Sequence, residues 1–167
     1  MRHFPLDKNY ATLLKSYNIE TITPPVFVAY CSANAKECIK RIAQYKALTG
    51  AIIFAVSQEE QGITVDMKGE ENKELPEIIL GIEMVIITNL IRKATKENII
   101  PAKIRVKKAF TNPEYEKFLG RKVEIGSKDA ITFSWVDAET PFITRNESMW
   151  NFFEPEFKKQ IPHSRNN

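Results

Sequence analysis

Few residues in this 167-residue chain have the type and spacing that chemistry demands. Cys31 and Cys38 are the only cysteines, and the two histidines, His3 and His163, stand near opposite ends. With the thiols seven apart and one histidine near each end, the spacing does not make a four-ligand zinc site, nor a local nucleophile–base pair for covalent catalysis. None of the six glycines falls in a phosphate-cradling loop or a dinucleotide-binding turn. Glu59, Glu60, Glu70, Glu71 and Glu74 lie in polar, loop-like stretches, where ordinary solvated carboxylates are expected. Glu83 differs, because it interrupts an apolar run. It either faces water between two apolar stripes, pairs with a buried base, or touches a ligand. Lys103, Arg105, Lys107 and Lys108 concentrate positive charge without the interleaved aromatics of a single-strand nucleic-acid binder. The chemistry on offer is recognition, with no catalytic residue, cofactor or metal expected.

Charge is unevenly distributed although the net value is only +3. Ser57 to Glu83 holds eight acids against two lysines, and Pro101 to Lys128 holds eight bases against three acids. Such segregation is either a solvated surface or a complementary contact, between two subunits or with a neighbouring domain. With 43% apolar and 27% charged residues the chain reads as a globular protein with a substantial core. The start, Met-Arg-His-Phe-Pro-Leu, lacks a signal-peptide apolar run, and Ile78 to Ile91 is too short and too interrupted to span a bilayer. A cytoplasmic location without membrane contact is the expectation.

These residues need elements to position them. Tyr10, Leu13, Leu14 and Tyr17 predict a first helix over 7–17, and Val26 to Cys31 reads as a buried strand. Asn34 with Glu37 three residues on forms a capping-box signal for a helix whose apolar face is Ala35, Cys38, Ile39, Ile42 and Ala43, stopped by Gly50. Ala51 to Val56 and Ile63 to Met67 predict a hairpin around Glu59-Glu60-Gln61-Gly62. The central helix spans Leu75 to Lys96 and carries two stripes, one through Ile78, Ile79, Ile82, Val85, Ile86 and Leu90, the other through Leu80, Met84, Ile87 and Ile91. A helix apolar on two faces must be covered on both, by the chain itself or by a second subunit. Lys103 to Lys107 alternates as a strand, and Asn112-Pro113 opens a short helix ending at Gly120. Strands over Val123 to Ile125 and Ala130 to Val136 and a helix over Asn146 to Gln160 complete the order. Short-turn strand pairs imply an α+β fold, a largely antiparallel sheet with helices packed on it. In outline a strand–helix–strand–strand–helix unit runs twice. One domain is expected over 1–161, with 162–167 as tail or linker.

From Ser32 onward the motif order resembles the N-terminal effector-binding domain of AraC-type bacterial transcription regulators, the arabinose-binding-like subgroup. The stretches that carry the resemblance are Ser32 to Cys38 with Ile42-Ala43-Gln44-Tyr45, Tyr115 to Ile125, and Asp129 to Phe133 with Pro141 and Asn146 beyond. Lys122 stands where that family has a proline. The resemblance implies a domain that senses a small-molecule effector, forms homodimers, and reaches DNA only through a separate C-terminal helix–turn–helix domain. On that footing Tyr30, Cys31, Tyr45, Phe54, Met84 and Trp135 are expected to line the effector pocket. Leu80, Met84, Ile87 and Ile91 are expected at the dimer interface, in line with the second stripe of the central helix. An enzyme with a dispersed site and a free-standing interaction domain are the alternative readings.

Overall fold

A computed structural model describes residues 24–46 and 51–160. The helix expected over 7–17, the stop at Gly50, both histidines and the tail lie outside the described residues. The first described element overturns an expectation. Residues 26–31 do not form a strand; α1 is a helix, Pro24–Ala29. Two prolines suit a helical first turn, whose N–H groups have no intrahelical partner anyway. The continuous apolar run arises because α1 is covered on opposite sides. Val26 and Ala29 enter the main core, while Val28 joins a second cluster with Tyr45, Trp150 and Phe157. An unbroken apolar segment fits a doubly covered helix as well as a buried strand.

Helix α2, Ala35–Tyr45, starts as its capping signal dictates. Asn34 Oδ1 accepts from the Glu37 amide at 2.9 Å, and Glu37 Oε2 reaches back to the Ala33 amide at 2.7 Å. Strands β1, Ile52–Glu59, and β2, Gly62–Gly69, pair antiparallel around a two-residue turn. Helix α3, Glu77–Thr95, is followed by β3, Lys103–Val106. Helix α4, Glu114–Leu119, ends on Gly120, whose φ of 78° is the left-handed conformation glycine adopts without cost from a side chain. Strands β4, Glu124–Ile125, and β5, Ala130–Ser134, come next. The strand expected to reach Val136 stops at Ser134, because Ser134 Oγ accepts from the Asp137 amide at 3.2 Å and opens α5, Trp135–Glu139. Helix α6 is Glu147–Gln160.

The sheet order is β1-β2-β5-β3-β4, antiparallel except for the β3–β4 pair. The architecture is therefore the expected α+β, but the first unit lacks its leading strand, so the two halves are not alike. Pairing of Val56 with Val65, Val65 with Ile131 and Ile104 with Ile131 puts one continuous apolar stripe on the inner face. The alternate residues form the outer face, where Thr64 and Thr132 share a 2.7 Å hydrogen bond. Leu80, Met84, Ile87 and Ile91 of α3, each at most 4% exposed, share one buried cluster with Val65, Ile104 and Ile131 of the inner face. The stripe assigned to a second subunit is thus covered by the chain itself. Its companion stripe is only partly covered, since Val85 and Leu90 are buried but Ile78 and Ile79 remain 39% and 36% exposed. Beside this face α3 has no side chain at Gly81, and the Tyr115 ring of α4 fills the space.

Candidate functional site

The six residues expected around a pocket do not converge on one. Phe54 and Met84 are solid core, with Tyr30 and Trp135 packed at its margin. Cys31 lies under α6, its thiol 3.4 Å from the Met149 sulfur. Tyr45 belongs to the second cluster, with ring centroids 5.9 Å from Trp150 and 5.6 Å from Phe157. Trp135 Nε1 donates to the Glu59 carbonyl at 2.9 Å. Close packing surrounds Phe54, Met84 and Tyr45 with other side chains. Burial pushes the Cys38 thiol far above its usual value and raises Cys31 as well, which keeps both as weak nucleophiles at neutral pH. Among the described residues no three His, Cys, Asp or Glu side chains gather as a metal site.

Glu83 takes the paired option. Its carboxylate meets Lys46 Nζ at 2.7 Å, and the two side chains are 15% and 7% exposed. Lys46 also stands 4.8 Å from the Phe54 ring centroid. The pair ties the end of α2 to the middle of α3.

An open recess forms where the sequence did not indicate one. The start of α3 faces the loop after β3 across a cleft of about 300 Å³. Leu75, Leu80 and Phe110 give it an apolar base, and Glu74, Glu77, Lys107, Lys108 and Asp129 a charged rim. Glu77 binds the Thr111 amide and, at 2.6 Å, the Thr111 hydroxyl. Asp129 Oδ1 accepts from the Lys107 amide at 2.9 Å, and Lys108 reaches Glu74 at 3.4 Å. The Lys107 ammonium has no ion pair among the described residues, so it is the rim charge free to meet a ligand. A volume near 300 Å³ with mixed lining is at the small end of metabolite sites.

Three separate segments build this cleft, which is why no local motif announced it. The segregated charge was the available signal. Acidic and basic segments meet within the chain, through Glu59 with Arg105, Asp66 with Lys128, and Glu74 with Lys108. These three pairs are largely exposed, and they join the acidic and basic segments within one chain.

No protein-family model and no curated protein matches the chain. The fold is similar to the crystal structure of the transcriptional regulator CdpR from Pseudomonas aeruginosa, with a TM-score of 0.64 and 14% identity. The match covers 84% of this chain and 47% of that one, so this chain spans about half the regulator's length. At this identity the likeness is one of fold. No helix among the described residues is long and apolar enough to cross a membrane.

Proposed function

We propose that this chain is the regulatory domain of a transcription regulator, binding a small effector and pairing with itself, and that it carries no catalytic activity. The fold match to slightly under half of a transcriptional regulator carries the reading. The motif order from Ser32 onward, read independently as that of an AraC-type effector domain, agrees with it. In this reading DNA contact belongs to a helix–turn–helix domain outside these residues. Effector binding would use an open cleft such as the one at the start of α3, and not the six packed side chains. Self-pairing would use the outer face of α3, where Ile78 and Ile79 keep apolar surface in water.

A ligand can act as a signal only by favouring one conformation or assembly over another. Sedimentation velocity of the wild type and of Ile79→Glu, repeated with a metabolite panel preselected by thermal shift, tests both halves of the proposal. A wild-type dimer dissociated by the substitution, with at least one metabolite raising the melting temperature, supports it. A wild-type monomer at tens of micromolar refutes the pairing, and a panel without effect refutes the sensing. The second reading, an interaction domain without a ligand, draws support from the filled interior and from exposed Val136, Ile143 and Phe152, which are 68–81% accessible. It requires self-pairing or capture of a partner with no thermal response to any metabolite.

A further inference from the structure

A second cleft, of about 400 Å³, lies beside the parallel β3–β4 pair, under the turn that leaves α4. Three cations line it, Lys103, Arg121 and Lys122, against one carboxylate, Glu124. Elsewhere in the basic segment Arg105 meets Glu59, Lys108 meets Glu74 and Lys128 meets Asp66. The cations are more concentrated here. Lys122 and Arg121 make no ion pair among the described residues. Lys103 meets Glu124 at 3.4 Å, but that carboxylate is 62% exposed, a surface pair of little strength that a stronger anion displaces. The Glu116 carboxylate stands beside the turn, its Oε2 accepting from the Val123 amide at 3.0 Å, and it keeps its charge, so three cations face two carboxylates there.

The turn that presents these cations is pinned. The Gly120 amide donates to the Glu116 carbonyl at 2.8 Å, Val123 is held by the Glu116 carboxylate, and Arg121 Nε donates to the Pro101 carbonyl. With Nε anchored, the two terminal guanidinium nitrogens of Arg121 stay available for the forked contact that phosphate and carboxylate groups accept. A fixed turn loses little freedom on binding. No aromatic side chain lines the cleft, so stacked bases have no platform there.

We propose that this cleft is a binding site for a small molecule carrying two or more negative charges, held by Arg121, Lys122 and Lys103. The site stands on its own geometry, whether or not the domain regulates transcription. Calorimetric titration of the full chain with pyrophosphate and with citrate, at ionic strength held constant with sodium chloride, tests it. Saturable one-to-one binding of either probe is expected, and the tighter of the two tells phosphate from carboxylate chemistry. Arg121→Gln/Lys122→Gln should weaken binding by about tenfold or more, as loss of charge-assisted contacts implies. Lys40→Gln/Lys117→Gln, an equal charge change at exposed side chains outside both clefts, should alter it less than about twofold. Circular dichroism checks that each variant folds, and Lys122→Gln alone, at an exposed side chain, serves if the double variant does not. Absence of saturable binding overturns the proposal. Equal loss in the Lys40/Lys117 control overturns it too, because the effect would then be diffuse screening. Tighter binding of a mixed-sequence oligonucleotide through the same residues overturns it in favour of a nucleic-acid surface.

Discussion

Replacing Gly81 with alanine sets two effects of opposite sign against each other in the middle of α3. Alanine is the better helix former by about 0.8–1.0 kcal/mol, and on an exposed helix it would stabilise. Here a Cβ would stand 2.5 Å from Tyr115 Cε1, 2.6 Å from Cζ and 2.8 Å from Cδ1. Carbon atoms pack favourably only at about 3.5–4.0 Å, so the ring would have to retreat by about 1 Å. It has no room to do so freely, being 3% exposed and seated against Phe110 with centroids 5.2 Å apart. Overpacking of this kind costs roughly 1–3 kcal/mol, and more where several ring atoms clash at once. The steric term wins, for a net loss of about 1–2 kcal/mol and a melting temperature lower by about 2–8 °C. Urea unfolding of the wild type, Gly81→Ala, Tyr115→Val and the double variant would check this as a double-mutant cycle. With Tyr115 shortened, the same alanine should stabilise by up to about 1 kcal/mol. Stabilisation in the wild-type background, or an identical cost in both backgrounds, would refute the reasoning.

Three further outcomes are expected. Met84→Glu should leave an unfolded chain and not a folded monomer, because the carboxylate would replace a side chain with no exposure and find no base; a native far-UV circular dichroism spectrum at 25 °C would contradict this. Lys46→Met should cost about 3 kcal/mol, while Lys46→Met/Glu83→Leu should recover most of that loss, since the single change leaves the largely buried Glu83 carboxylate without its ammonium and the double change removes both. Denaturant titration decides it, and equal costs for single and double variants would be the contrary result. Burial, reinforced by the nearby Glu154 carboxylate, pushes the Tyr45 hydroxyl up to about 12 from an ordinary value of 10.0. The folded form then holds a proton that the unfolded chain releases, so Tyr45 contributes stability below pH 10 that is lost as pH rises toward 12. Tyr45→Phe should flatten the fall in melting temperature across that window, and an unaltered slope would assign the loss to other groups.

Sequence alone determined the elements whose signals are local. Asn34 with Glu37, Asn112-Pro113 with Gly120, and the alternation of Lys103 to Val106 each act through hydrogen bonds or side-chain directions set within about four residues. Those rules hold before any tertiary contact forms, and together they were enough to give the α+β class and the site of each boundary they govern. Tertiary structure alone decided what covers each apolar surface and which charges meet. The run from Val26 to Ala29 is helical because two separate clusters bury it from opposite sides. Leu80, Met84, Ile87 and Ile91 are buried in the chain's own core, which periodicity cannot supply, because it shows that a stripe needs cover and not what provides it. Glu83 finds Lys46, and the cleft rim draws Glu74, Lys107 and Asp129 from three segments, since burial and ion pairing depend on distances in space that the fold fixes and the order of residues along the chain does not.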